Sequence, residues 1–233
     1  MIDVEQVIRT YKGRVRKNDR LRDLAKNAKD FAQANAYAKG TGDELTMALY
    51  TSGTGSMSQD ELTELLTACL RQNHGDVARV CRRVQRIIND NAGLGIGVLV
   101  SEYDSATAAR IAEELADSLA RNGEISLDQL RNLVTKESQG VVDDAIKRNF
   151  EAADNMGLSV KITRRYDEVG LREGTKWAER CEWCLAREGV WDNVAEAREA
   201  GAFERHPGCG CVITYEVHKT RKWSGTAGRW EDL

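Results

Sequence analysis

The chain has 233 residues, 41% of them hydrophobic and 30% charged, with a formal net charge of −3. That length suits one large or two modest domains, and the apolar share is enough for a packed core, which excludes wholesale disorder. A charge so near zero excludes a globally basic nucleic-acid binder, and no run approaches the roughly 18 apolar residues of a membrane span.

The residue types are unevenly spread. Trp177, Trp183, Trp191, Trp223 and Trp230, the single Pro207 and four of the six cysteines all fall after residue 170, while residues 1–157 contain neither Trp nor Pro. A proline-free stretch rich in Ala, Leu, Glu, Arg and Gln favours helix. The expected architecture is a mainly α N-terminal region, 1–157, followed by a small α+β zinc-binding region, 158–233. The first six residues, Met1-Ile-Asp-Val-Glu-Gln6, are acidic where a secretory signal would be basic and then apolar, so residence in the cytoplasm is expected.

In chain order, Arg9 to Lys29 carries nine basic residues against Asp19 and Asp23. It reads as a solvated helix face, with a phosphate-backbone contact as the functional alternative. Thr51 to Ser56 is a Gly/Ser joint. Ser58-Gln-Asp-Glu61 is a capping box opening a helix with Leu62, Leu65, Leu66 and Cys69 inward. A second helix is expected from about Asp76, burying Val77, Val80, Cys81, Val84, Ile87 and Ile88, with His74 at the surface before its start. Gly93-Leu-Gly-Ile-Gly97 lacks the spacing of a dinucleotide or phosphate loop and reads as a break. A helix from Ser105 ends at Asn122-Gly123 as a left-handed cap. Ser126-Leu-Asp-Gln129 opens another toward Met156, with Gly140 its weak point.

After Gly157 the period becomes two. Leu158, Val160 and Ile162 alternate with polar residues, as do Ile213, Tyr215 and Val217, so both segments read as half-buried strands. Two short strands make a marginal core, which calls for a staple.

Cys181-Glu-Trp-Cys184 and His206-Pro-Gly-Cys209-Gly-Cys211 provide one. A C-x2-C turn presents two thiolates on one side of a tight loop, half of a tetrahedral zinc site, and a second pair from His206, Cys209 and Cys211 would close it. Five candidates compete for four positions: Cys181, Cys184, Cys209 and one of His206 or Cys211. Disulfides fit poorly without a secretion signal, and a redox C-x2-C lacks its βαβ flanks. Four protein ligands leave no open position for water, so the zinc is expected to be structural. No Ser-His-Asp grouping, H-E-x-x-H or nucleophile elbow is present, and an enzyme is not expected. Cys69 and Cys81 read as core residues, and Trp177, Trp183 and Trp191 as core or anchor residues of the C-terminal region.

The segment from Cys181 to Gly189, the run Ala197 to Cys211 ending His-Pro-Gly-Cys-Gly-Cys, and the strand Val212 to Glu216 resemble the minor head proteins of tailed bacteriophages. That family is similar to a broader head-morphogenesis family whose members often end in C-x2-C and H-P-x-C-x-C. The resemblance rests mainly on residues 158–217. It implies a virion component assembled in the host cytoplasm, bound near the portal, contacting portal or major capsid protein, and acting in head assembly or genome packaging and delivery. A zinc-containing nucleic-acid-binding protein, with Arg9 to Lys29 as a second contact, is the alternative.

Overall fold

A computed structural model describes residues 3–53, 57–166, 182–218, 221–224 and 229–232. Six long or medium helices come first: α1 (Val4–Lys17), α2 (Asp19–Asn27), α3 (Phe31–Thr51), α4 (Gln59–Asn91), α5 (Ala106–Asn122) and α6 (Leu127–Asn155). The C-terminal part is mixed: β1 (Ser159–Tyr166), α7 (Glu182–Leu185), β2 (Gly189–Trp191), α8 (Val194–Glu199), β3 (Cys211–His218), β4 (Arg221–Ser224) and β5 (Arg229–Asp232). The mainly α body with a small α+β C-terminal part is the arrangement expected from sequence.

Caps explain most boundaries. Asp3, Asn18, Asp30, Ser58, Ser126 and Asn193 each accept a backbone N–H with the side chain, closing one orphan donor at a helix start. At Ser58 the box is reciprocal, because Glu61 also accepts from the Ser58 backbone N–H. Gly123 ends α5 at φ 75°, left-handed as expected.

Two sequence expectations change. The helix expected from Asp76 is the second half of α4, which runs 33 residues without a break through His74 and Gly75. Gly75 costs such a helix on the order of 1 kcal/mol, which burial of Leu66, Cys69, Leu70, Asn73, Val77 and Ala78 on either side outweighs. His74 is therefore not a surface residue ahead of a helix. It lies within α4, half-buried, its ring edge-on to Tyr103 at 5.8 Å. Gly140 likewise interrupts nothing in α6.

The helices α3 and α6 form the spine. Gly42 permits their close approach: a Cβ there would stand 2.9 Å from Ser138 Oγ and 3.0 Å from Thr135 Cα. The sheet has the order β2-β1-β3, all antiparallel, with Ile162 opposite Tyr215 and Tyr166 opposite Cys211. Its inner face continues the helical core rather than forming one of its own. Val160, Ile162, Ile213, Tyr215 and Val217 share a cluster with Phe31, Val84, Ile146 and Phe150. The Tyr215 ring meets Phe31 and Phe150 edge-on at 6.5 and 6.1 Å. Sheet and spine thus present one face to each other, and the open end of the β1–β3 ladder, at Tyr166 and Cys211, carries the cysteines.

Candidate metal centre

Three loops' worth of sequence converge at that end. Cys184 comes from the one-turn helix α7, His206 from the segment after α8, and Cys209 from the turn that feeds β3. Their ligand atoms lie within 4.8 Å of one another, so Cys184, His206 and Cys209 form a group that could hold a metal ion. Cys184 Sγ is 3.8 Å from Cys209 Sγ and 3.0 Å from His206 Nε2. Two zinc–sulfur bonds of about 2.3 Å at the tetrahedral angle place their sulfurs roughly 3.8 Å apart, so the thiol pair already has the spacing of zinc ligands.

The His-Pro-Gly-Cys sequence has a local reason. The Cys209 N–H donates to the His206 carbonyl at 3.1 Å across a turn with Pro207 second and Gly208 third, and Gly208 has φ 75°. Proline at the second position and a left-handed glycine at the third are the requirements of a type II turn. His206 Nδ1 stands 2.7 Å from the Pro207 carbonyl oxygen, which can only accept. Nδ1 therefore carries the proton, and Nε2 turns its lone pair toward Cys184. Gly210 separates the two cysteines because Tyr166 lies against it: a Cβ there would stand 2.9 Å from the ring.

Cys211 is fully buried beside Cys184 and Cys209 but outside the group of three. It shares the inward face of β3 with Ile213 and Tyr215, as the alternation requires. The Cys209 thiol is held below the ordinary range, first by the hydrogen bond from the Cys211 thiol and then, against burial, by Arg205, the Cys211 backbone and Arg164. Cys211 is pushed upward, first by that same hydrogen bond and then by burial. Cys181 lies outside the described residues, as does Trp177. Cys69 and Cys81 are free thiols buried in the helical core, as expected.

Trp183 and two arginines build the wall of the site. The indole meets the His206 ring edge-on at 4.9 Å, with Arg187 3.9 Å and Arg164 5.4 Å from its ring centre. Trp191 is half-buried against the main core, away from this wall.

Sequence reasoning missed both buried arginines. Arg164 follows Val160 and Ile162 on the inward face of β1 and is 1% exposed. Its Nη1 donates to the carbonyls of Gly201 at 3.2 Å, Ala202 at 2.9 Å and Glu204 at 2.5 Å. Its Nη2 lies 3.8 Å from Cys209 Sγ. Arg205 forms a buried two-armed ion pair with Asp143 on α6, its Nη2 reaching Oδ1 at 2.9 Å. It also donates to the Cys211 carbonyl at 2.8 Å and to Asn35 Oδ1 on α3 at 3.2 Å. Asp143 holds the Arg205 proton more firmly than usual, against burial. The period-two register of β1, carried two residues further, was the signal for Arg164. Nothing in the sequence pairs Arg205 with a residue 62 positions away.

His218 is exposed at the end of β3, with Nε2 3.8 Å from Glu216, far along the strand from the cysteines. Among the described residues, no helix is long and apolar enough to cross a membrane. No family model, no curated protein and no solved structure matches the chain.

Proposed function

We propose that the chain is a structural assembly protein whose C-terminal part is stapled by one zinc ion, acting as a minor head protein of a tailed bacteriophage. The observation that carries the staple is the meeting of Cys184, His206 and Cys209 within 4.8 Å at the end of a three-stranded sheet. Sulfur and imidazole donors suit zinc better than calcium or magnesium, which take oxygen ligands, and the two sulfurs already have the spacing of a zinc-bound pair. The donors are mostly buried, so the ion would brace α7 and the 206–210 turn against β1 and β3. It has no part in a reaction in this reading.

The head-protein reading rests on the resemblance across Cys181 to Glu216, and a helical body with one braced, aromatic-rimmed end is consistent with a part that docks. The partner would be the portal or the major capsid protein. Elemental analysis of the purified full chain tests the staple, with one zinc per chain expected. Co-expression with the portal and major capsid proteins of the same genome tests the assembly role. Co-purification with one of them is expected, and capture by neither would reject it.

A second reading is favoured by one observation. Between Arg9 and Lys29, Arg9, Arg14 and Arg22 are engaged by Asp3, Glu44 and Asp19, whereas Arg16, Lys17, Arg20, Lys26 and Lys29 are exposed. Such exposed cations would contact a nucleic-acid backbone.

A further inference from the structure

The charges around the cysteines do not balance without the sulfurs. Arg164 and the side chain of Arg205 are both buried, and the one buried carboxylate near them among the described residues, Asp143, is taken up by Arg205. Among the described residues Arg164 meets no carboxylate. Three backbone carbonyls, the Trp183 ring and the Cys209 sulfur surround it. Its neighbour Arg187 is spoken for by Glu204, at 3.1 Å on the surface. A guanidinium cannot shed its proton inside a protein, and leaving one buried without a counter-charge is strongly unfavourable.

Resting on the metal reading above, we infer that the metal centre is net negative because a third thiolate completes it, and that Arg164 is its buried counter-ion. A divalent ion held by two thiolates and a neutral imidazole is electrically neutral and gives Arg164 nothing. A third thiolate makes the centre singly negative and cancels the excess, and a fourth thiolate in place of His206 would overshoot. The tautomer of His206 fits this count, since Nδ1 keeps its proton and donates it to the Pro207 carbonyl oxygen, leaving Nε2 as a neutral donor. The motif offers Cys181 and Cys211 as the sources of that third sulfur. Arg164 acts through Cys209 and is a positioning residue: it sets the charge the site prefers and ties the Gly201 to Glu204 turn to the same sulfur.

Cobalt substitution of the full chain reads the count directly, because the sulfur-to-cobalt charge-transfer band scales with the number of cobalt–sulfur bonds. Three bonds are expected, and two would overturn the inference. Cys181→Ser and Cys211→Ser identify the third sulfur: one of them should lower the band by about a third, and a band unchanged in both would also overturn it. Arg164→Met, measured by zinc competition against a chromophoric chelator, should weaken zinc about 10- to 100-fold, with Arg164→Lys recovering most of the loss. A merely structural Arg164 would lower melting of the zinc-loaded and zinc-free chains equally and leave zinc affinity unchanged, which would refute its role. Should Arg164→Met not fold, the cobalt count on the unmodified chain still decides. Purified protein that binds neither zinc nor cobalt would sink the metal reading itself, a result distinct from a bound metal with two sulfurs.

Discussion

Asp143→Ala should be among the most damaging single changes to this chain. Asp143 and Arg205 have side chains only 5% and 3% exposed, and the substitution leaves Arg205 with the Cys211 carbonyl and Asn35 Oδ1 but no carboxylate. Breaking a buried pair from one side costs about 3–5 kcal/mol, a large part of the roughly 5–15 kcal/mol that holds a domain folded. At about 2–4 °C per kcal/mol for a chain of this size, the melting temperature should fall by roughly 6–20 °C. The loss should reach the metal as well, because Arg205 immediately precedes His206 and anchors the Cys211 carbonyl. Urea unfolding followed by helical circular dichroism, with zinc retained, measures the first effect, and chelator competition the second. Replacing both partners, Asp143→Leu with Arg205→Met, removes both charges and should recover most of the stability. A single-mutant loss below about 1 kcal/mol, or a double mutant as weak as the single, would refute the charge argument.

The remaining predictions touch other parts of the molecule. Lowering pH should release the metal, because protons compete for thiolates and imidazole, and free zinc followed with a chromophoric dye should rise as pH falls. On chelation at neutral pH, near-UV circular dichroism should change as Trp183 loses its place between His206 and Arg187, while the helical far-UV signal largely persists. Burial, helped by Arg82 and opposed by Asp144, holds the His74 imidazole below its ordinary value. The unfolded chain therefore takes up that proton first, so the stability tied to His74 is complete above about 6.5 and is lost as pH falls toward the native value. His74→Gln should flatten this part of the pH–stability curve, and an unchanged curve would count against it. Gly42→Val should cost about 1–3 kcal/mol in urea unfolding, since its side chain meets Thr135 and Ser138 on α6. If the exposed α1–α2 cations contact DNA, affinity should fall steeply with salt, with a log–log slope near −0.9 per phosphate engaged, and Arg16, Arg20 and Lys26 changed together to Ala should shrink that slope.

What the sequence revealed follows from which forces act locally. The capping box at Ser58, the N-cap at Ser126 (where Gln129 turns instead to Ser118), the left-handed Gly123 and the alternating strands all lie within a few residues of the structure they specify. The Cys184, His206 and Cys209 group was legible for a different reason: few chemistries need sulfur and imidazole at that spacing. The break expected before Asp76 was a local signal overruled by burial along both flanks of α4. The joining of sheet to helices, through Tyr215 between Phe31 and Phe150, depends on contacts more than 60 residues apart that leave no periodic trace.

Arg164 shows where pattern reading stops and charge accounting begins. Alternation alone assigns an inward position on β1 to an apolar side chain, and a cation there looks like a register error. Register is fixed on both sides, however, by Ile162 opposite Tyr215 and Arg164 opposite Ile213, so slipping the strand to expose the guanidinium would also expose Val160 and Ile162. The cation is therefore held in by the apolar residues beside it, and its tolerance must come from what it faces. It faces the carbonyls after α8, which give it dipoles, and the Cys209 sulfur, the one of these contacts that can carry a full opposite charge. A cysteine cluster at the end of a strand would by itself be consistent with inert buried thiols. The same cluster with a buried guanidinium in its wall that, among the described residues, touches carbonyls and sulfur but no carboxylate favours an anionic sulfur.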